Sequence, residues 1–209
     1  MTQTVFHLSG ENIYSTHGRL DPWNWTWQAE ATPHDAQEVT ARQVLAHLAK
    51  SGARQIPVGV IGPREADSEK LALAEQVGAA IGVLGLTMIC GGRTGVMAAA
   101  AKGCRASGGL TIGMLPGHDW REANADIMIP IATGLSEARN MIIAKSSAVL
   151  IAVGGSYGTL SEIAYGLHFS KPVIVLGNAP DVEGTERASN ADDAVNRLAS
   201  HLLESVRVS

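Results

Sequence analysis

The sequence predicts an α/β fold of the Rossmann-like, doubly wound kind, in which helices flank a parallel sheet and an N-terminal extension precedes it. From residue 57 onward, short apolar runs alternate with longer segments of helical spacing, which is typical of that class. The run at 148–153 is short, contains β-branched residues and is apolar throughout, without polar residues at alternate positions. This is the pattern of a parallel strand that is covered on both faces. Glycine-bearing turns follow three of the predicted strands, at Gly62-Pro63, at 91–95 and at 154–159, and they are expected to meet at one edge of the sheet.

The elements follow one another in a regular order. Strands are predicted at 57–61, 86–90, 110–115, 127–131, 148–153 and 171–176, and helices at 68–84, 96–106, 135–146, after the turn at 154–158, and at 190–204. The helix at 68–84 follows from apolar residues at near-helical spacing. Pro172 stands at the start of the last strand, where a missing N–H is tolerated. Residues 181–189 are predicted to be a polar loop, and Asn190 to cap the closing helix.

The N-terminal part has a different pattern and divides the chain into three predicted segments. Residues 1–34 combine glycine and proline with Trp23, Trp25 and Trp27, and are predicted to be an arm. Residues 35–56 are predicted to be an amphipathic helix, capped by Asp35, and a linker, and residues 57–209 the Rossmann-like domain. Tryptophans at alternate positions would project from one face of an extended segment. They would cover an apolar patch on this chain or a partner subunit, or form an aromatic wall for a planar ligand.

Composition restricts the functional classes. The chain has 209 residues, a net charge of −4 and scattered charged residues, which argues against a nucleic-acid groove or an anionic membrane surface. Cys90 and Cys104 lack the paired spacing of a zinc site or disulfide framework, and the histidines have no ligand-like spacing. The N-terminus does not resemble a signal peptide and no long apolar run occurs. We therefore expect a cytoplasmic protein without a metal.

Residues 149–162 carry the most informative motif, a buried strand followed by a glycine-rich turn and a helix. Gly154, Gly155 and Gly158 allow a sharp turn with exposed N–H groups. The start of the next helix adds unpaired N–H donors and the positive end of its dipole, so the motif predicts a phosphate site. A second glycine turn, residues 91–95, is expected at the same edge of the sheet. Neither turn has the spacing of a dinucleotide-binding motif or a P-loop.

Two segments together resemble a known superfamily. Gly91-Gly-Arg-Thr-Gly-Val-Met97 and Gly155-Ser-Tyr-Gly-Thr-Leu-Ser-Glu162 look like the two signatures of the Lonely Guy (LOG)-type phosphoribohydrolases, which are often mislabelled as lysine decarboxylases. The same architecture includes the molybdenum cofactor carrier proteins. The segments Val-Gly-Val-Ile-Gly-Pro63 and Thr-Ile-Gly-Met-Leu-Pro-Gly117 look closer to that carrier branch. The resemblance covers about residues 57–180.

The resemblance implies a set of site residues. Glu162 matches the glutamate of the enzyme signature, and Arg139, 23 residues earlier, falls where the family's catalytic arginine is expected. Gly154 and Ser156 depart from the proline and second glycine of the signature, and Cys90 replaces the first glycine of the other one. The remaining predicted ligand-binding residues are Gly91, Gly92, Arg93, Thr94, Gly154, Gly155, Ser156, Gly158 and Thr159.

The implied reaction is hydrolysis of the N-glycosidic bond of a nucleoside 5′-monophosphate to free base and ribose 5-phosphate, without a cofactor. Glu162 would stabilise the oxocarbenium-like state or orient water, and Arg139 would hold ligand oxygens and keep that carboxylate ionised. A non-catalytic carrier or sensor, with molybdenum cofactor or a nucleotide-like molecule as ligand, is the alternative. A surface ion pair is the simpler explanation of Arg139 and Glu162.

The expected partners are a small phosphate-bearing ligand and further copies of this chain. The resemblance implies a homo-oligomer, and the apolar helix face around Met141, Ile142 and Ile143 is a candidate interface. Nucleic acid and membrane are not expected partners.

Overall fold

The computed structural model describes residues 4–208, and the chain divides into two compact units. The first comprises Met1–Gln55 and Ala199–Ser209, and the second comprises Ile56–Leu198. This division differs from the three predicted segments in that the last residues of the chain join the first unit. Residues 1–3, the start of the predicted arm, and residue 209, the end of the predicted domain, lie outside the described residues.

The first unit contains an antiparallel sheet rather than an extended arm. Its elements up to residue 55 are β1 (Phe6–Ser9), β2 (Asn12–Ser15), β3 (Gly18–Asp21), β4 (Thr26–Gln28), β5 (Gln37–Val39) and α1 (Ala41–Leu48). The strands lie in the order β4-β3-β2-β1-β5. Gly18 has a φ of 116°, and a Cβ atom there would collide with the backbone of Gln28 on the neighbouring strand, so the sheet requires glycine at this position.

Two predictions for this unit are wrong. The three tryptophans do not share one face: Trp27 is buried on β4 and stacks on Phe6, whereas Trp23 is exposed. The chain turns between them, because the Asp21 carboxylate accepts hydrogen bonds from the N–H groups of Trp23 and Asn24. Asp35 does not cap the helix either. Thr40 does, in a reciprocal capping box with Gln43, because residues 37–39 pair with β1 instead.

The second unit has the predicted Rossmann-like architecture. Its strands are β6 (Pro57–Ile61), β7 (Thr87–Cys90), β8 (Leu110–Leu115), β9 (Ile129–Ala132), β10 (Leu150–Val153), β11 (Val173–Leu176) and β12 (Glu186–Arg187). Its helices are α2 (Ser68–Val83), α3 (Val96–Ala106), α4 (Arg139–Ser146) and α5 (Tyr157–His168). The helix α6 (Ala191–Glu204) begins in this unit, and its residues from Ala199 onward belong to the first unit. All neighbouring strands are parallel, in the order β12-β11-β10-β6-β7-β8-β9, which confirms the predicted fold class.

Most predicted elements are present, with differences at their ends. The helix predicted from residue 135 begins as a single 3-10 turn, Ser136–Ala138, and becomes α-helical at Arg139. The loop predicted at 181–189 contains β12, which is too short for a polarity pattern. The side chain of Asn190 accepts a hydrogen bond from the Asp193 N–H at 2.9 Å, as expected of a cap. The last strand, β13 (Arg207–Val208), pairs in parallel with β4.

The strand order places a topological switch point between β6 and β10. Strands β6 to β9 extend in one direction across the sheet, and β10 to β12 extend in the other. Ligands of open α/β sheets bind outside the carboxyl ends of strands at such a point. Ile61 pairs with Ala152, so β6 and β10 end almost level and their following turns lie side by side. No helix within residues 4–208 is long and apolar enough to cross a membrane.

Helices α2 and α3 approach closely at glycines. A Cβ atom at Gly78 would collide with the carbonyl oxygen of Ala100, and one at Gly103 would collide with that of Glu75. Both glycines therefore allow the two backbones to touch, at the expense of the lower helix propensity of glycine.

We expect Gly78→Ala to destabilise the protein by about 1–3 kcal/mol through overpacking, although alanine is the better helix former. Urea unfolding followed by circular dichroism measures this. The control is Ala72→Gly on the exposed side of α2, which isolates helix propensity and should cost about 1 kcal/mol. A Gly78→Ala protein as stable as wild type would contradict the close-contact interpretation.

Candidate functional site

A cavity of about 510 Å³ lies at the switch point, beyond the carboxyl ends of β6, β7 and β10. Its walls come from the turn after β6, the start of α3, the 3-10 turn with the start of α4, and the first two turns of α5. Ligand pockets in proteins typically measure about 300–1,000 Å³. The cavity therefore has the size and the position of a small-molecule site.

The start of α5 supplies the anion-binding end of this cavity. Ser156 is its N-cap residue, and its hydroxyl accepts the Thr159 N–H at 3.4 Å. A Cβ atom at Gly155 would collide with Pro180, whereas the nearest atoms to one at Gly158 are 3.7 Å away or more. The first N–H groups of a helix have no partner within it. These groups and the helix dipole favour a phosphate at the opening of the cavity.

Arg139 and Glu162 meet at the floor of the cavity, where α4 packs on α5. Arg139 Nη1 lies 3.4 Å from Glu162 Oε1, and the two residues are only 5% and 6% exposed. The explanation as a surface ion pair is therefore wrong, because both partners are buried. The Nε atom of Arg139 is buried without a hydrogen-bond partner among the described residues, so these residues do not fully satisfy the guanidinium.

Burial decides the protonation of this pair. Desolvation raises the pKa of Glu162 to about 8, and the positive charge of Arg139 lowers it by less. Desolvation likewise lowers the pKa of Arg139, and Glu162 opposes that shift. Arg139 therefore favours the ionised form of Glu162, as expected, but its effect on the pKa of Glu162 is smaller than that of burial. The 3.4 Å contact is too long for a strong charge-assisted hydrogen bond.

The turn after β7 packs against the guanidinium of Arg139. A Cβ atom at Gly91 would lie 2.8 Å from Arg139 Nη2, so glycine leaves the space that the guanidinium occupies. Gly92 and Gly95 have positive φ angles of 71° and 68°, which glycine adopts without strain. The Gly92 N–H donates to Cys90 Sγ at 3.3 Å. Cys90 is the residue that stands where the signature of the resembled family has a glycine.

Five predicted ligand-binding residues do not line the cavity. Two of them are Gly91 and Gly92, in the turn after β7, and the other three are Arg93, Thr94 and Gly154. Arg93 pairs with Glu122 at 2.9 Å, and the Thr94 hydroxyl donates to the Arg64 carbonyl at 3.3 Å. Gly154 adopts a φ of 64° and donates its N–H to Leu176 O, so it forms the turn after β10. All three shape the loops that surround the site.

Sequence reasoning missed four polar residues at the cavity. Arg64, Glu65, Glu137 and Asn140 line it, and the first three are exposed. Arg64 follows Gly62 and Pro63, and the sequence predicted that this turn lies at the same edge of the sheet. Its position next to the turn could therefore have identified it as a cavity residue. Its positive charge contributes to the lowered pKa of Arg139, and a bound anion would relieve that repulsion.

No group of three or more histidine, cysteine, aspartate or glutamate side chains suited to a metal ion occurs within residues 4–208.

We expect the stability of the protein to depend on Glu162 through pH. Its pKa is about 8 when folded, against an ordinary value of 4.5. Between these values the folded state binds more protons, so this group's contribution to stability is present at acidic pH and is lost as pH rises towards 8. Glu162→Gln cannot lose a proton at this position and so does not show this loss of stability. The free energy of unfolding of this variant, relative to that of wild type, should rise by about a few kcal/mol between pH 5 and pH 8.

Urea unfolding of both proteins across this pH range measures the difference. Glu183→Gln, in an exposed loop, is the matched control and should follow wild type at every pH. Parallel stability curves for wild type and Glu162→Gln would contradict a raised pKa.

Comparison with known proteins identifies the family. The model of the SLOG cluster4 family matches residues 55–203. An uncharacterized protein of Archaeoglobus fulgidus is 44% identical over 144 residues, covering 68% of this chain and 94% of that protein. A cytokinin riboside 5′-monophosphate phosphoribohydrolase of Mycobacterium tuberculosis is 38% identical over 119 residues, or 52% of this chain. The match spans 63% of that enzyme, which is less than two thirds of its length.

Solved structures point to the other branch of the superfamily. The molybdenum cofactor binding protein of the phototrophic bacterium Rippkaea orientalis is 36% identical, with a TM-score of 0.67, over 70% of this chain and 97% of that one. The molybdenum cofactor carrier protein of Chlamydomonas reinhardtii is 35% identical, with a TM-score of 0.65, over 71% and 99%. These matches confirm the resemblance to the LOG and molybdenum cofactor carrier superfamily, and the chain belongs to its SLOG cluster4 family.

Proposed function

We propose that this protein is a nucleoside 5′-monophosphate phosphoribohydrolase, which releases a free base and ribose 5-phosphate. The observation that carries this proposal is the buried Arg139–Glu162 pair on the floor of a cavity that also contains a helix N-terminus. The similarity to a phosphoribohydrolase of Mycobacterium tuberculosis supports it.

The 5′-phosphate would bind at the start of α5. Backbone N–H groups of residues 157 and 158, the Ser156 and Thr159 side chains and the exposed guanidinium of Arg64 would surround it. Binding energy gained at the phosphate, away from the reacting bond, would fix the ribose against the cavity floor.

Glu162 would act next to the anomeric carbon. Cleavage of the N-glycosidic bond develops positive charge on the ribose ring, which an adjacent carboxylate stabilises, and water then attacks the sugar. The carboxylate form is required for this role, whereas the free protein holds Glu162 largely protonated below its pKa of about 8. The Arg139 Nε donor would bind a ribose or phosphate oxygen.

A carrier or sensor is the second candidate, because solved structures of molybdenum cofactor binding and carrier proteins match over almost their whole length. The phosphate of that cofactor, or of a nucleotide-like ligand, would use the same helix N-terminus. The unpartnered Arg139 Nε fits an oxygen-rich ligand equally well. In this role Glu162 would remain protonated and would not repel an anion.

We further propose that the ligand is a small phosphate-bearing molecule rather than nucleic acid or a membrane surface, and that the protein acts in the cytoplasm. The net charge of −4 supports the choice of ligand, because nucleic-acid-binding surfaces are basic.

Base release tests the proposed activity. A panel of nucleoside 5′-monophosphates is incubated with the protein, and free base is measured by chromatography. Glu162→Ala should lower kcat by about 10²–10³-fold, the range for removal of an electrostatic stabiliser. Glu183→Gln should leave it unchanged. The kcat/KM of wild type should rise with pH and level off above about pH 8, because it reports the pKa of Glu162 in the free enzyme.

Wild-type base release no faster than that of Glu162→Ala would exclude the hydrolase. Molybdopterin that co-purifies with the protein, detected by its fluorescence after oxidation, would then support the carrier.

We also propose a homo-oligomer, with part of the predicted interface corrected. Ile143 is fully buried in the core of its own subunit and Ile142 is partly buried there, whereas Met141 is exposed. Leu160 and Tyr165 on α5 are exposed as well, and α4 packs on α5. Exposed apolar side chains on packed helices are typical of subunit interfaces.

Sedimentation equilibrium should therefore show at least a dimer for wild type, and Leu160→Glu should shift the mass towards the monomer. Val83→Glu, at a more exposed apolar position at the end of α2, is the control and should not shift the mass. A monomeric wild-type protein at micromolar concentration would contradict this interpretation.

A further inference from the structure

Asn140 lies beside the proposed catalytic arginine, and the function assigned above gives it no role. It is the second residue of α4 and is 5% exposed. A buried amide requires hydrogen-bond partners on both its oxygen and its nitrogen. Its partners are on two different parts of the site, Arg139 and the first turn of α5.

The chemistry of these partners fixes the orientation of the amide. Arg139 Nη1 donates to Asn140 Oδ1, and a guanidinium has no acceptor, so the oxygen must face it. Asn140 Nδ2 then donates to Ser161 Oγ at 2.9 Å. The Ser161 hydroxyl in turn donates to the Gly158 carbonyl at 2.7 Å. A chain of hydrogen bonds, each donated in the same direction, therefore connects the guanidinium through Asn140 and Ser161 to the proposed phosphate-binding turn.

This arrangement divides the donors of Arg139. Nη1 donates to two acceptors, Asn140 Oδ1 and, at 3.4 Å, Glu162 Oε1. Nε has no hydrogen-bond partner in the described part of the chain. Because Nη1 is hydrogen-bonded to Asn140, the guanidinium does not move closer to the carboxyl group of Glu162. The two groups nevertheless lie together in a low-dielectric interior, where their attraction is strong.

We propose that Asn140 is a positioning residue that holds the Arg139 guanidinium apart from Glu162 and ties it to the first turn of α5. This inference rests on the proposed hydrolysis. The amide keeps three groups at fixed spacing: the phosphate-binding N–H groups, the guanidinium and the carboxyl group that faces the ribose. Without it, Arg139 would move onto Glu162, the remaining acceptor of Nη1, and its free donor would turn away from the ligand.

The experiment uses Asn140→Ala and Asn140→Asp, with Ser161→Ala as the variant that releases only the far end of the amide. Asn140→Ala should lower kcat by about 10–100-fold, the range for groups that orient a reacting residue. Its KM should change far less, because the phosphate donors are intact. Ser161→Ala should show a smaller loss in the same direction. Asn140→Asp keeps an acceptor for Nη1 and should recover most of the kcat at alkaline pH.

The second readout is the titration of the Glu162 side chain, followed by NMR of protein with ¹³C-labelled glutamate carboxyl groups and assigned with Glu162→Gln. Asn140→Ala changes no charge, yet the pKa of Glu162 should fall because Arg139 moves closer. Asn140→Asp adds a neighbouring negative charge, so the pKa should rise. A packing role alone would leave the Asn140→Ala titration unchanged.

The two readouts separate the two possible failures. If wild type releases no base, the proposed hydrolysis fails, and the titration alone decides the role of Asn140. A Glu162 pKa in folded Asn140→Ala that equals or exceeds the wild-type value would overturn the inference. So would an Asn140→Ala enzyme with wild-type kcat, or one that loses activity only through KM.

Discussion

The burial of two ionisable side chains, Arg139 and Glu162, is the constraint on which the rest of the site depends. Removing a charged group from water costs several kcal/mol, and attraction to an opposite charge repays this only when the geometry is close and the other polar atoms are satisfied. Neither condition holds here, since the contact is 3.4 Å and Arg139 Nε has no hydrogen-bond partner within residues 4–208. The pair is therefore poorly explained as an interaction that stabilises the fold, which favours the proposed role in ligand binding.

The surrounding backbone makes space for this pair. Gly91 leaves room for the guanidinium, and the 3-10 turn before α4 brings Arg139 to the first position of that helix. The switch point between β6 and β10 opens a crevice above both residues. The charges thus lie at the end of the sheet where ligands enter, while apolar side chains fill the space between sheet and helices.

The sequence predicted those parts of the molecule that depend on local pattern. The alternation of apolar runs and helical segments predicted the parallel sheet, and the glycine spacing identified the turn at the start of α5. The turn at Asp21–Asn24 was missed because it is formed by a side chain that bonds to the backbone, which polarity does not reveal. The burial of Glu162, which raises its pKa, was not predicted, since a residue's depth depends on how α4 and α5 pack. Asn140 was missed for the same reason, because two of its partners lie 18 and 21 residues away.

The same arrangement of residues is compatible with hydrolysis and with carrying a ligand. The two proposed functions differ in how Arg139 would interact with the ligand and with Glu162. A carrier benefits from a protonated Glu162, because a neutral carboxyl group does not repel an anionic ligand. A hydrolase needs the carboxylate, and a bound phosphate by itself would oppose its ionisation through like-charge repulsion. Arg139 can offset that repulsion only if its positive charge reaches both groups at once, which requires a guanidinium that neither closes onto Glu162 nor turns away from it. In the proposed role of Asn140, its hydrogen bond would hold the guanidinium between these two positions, and the polar contacts around Arg139 would then decide whether the site can cleave or only bind.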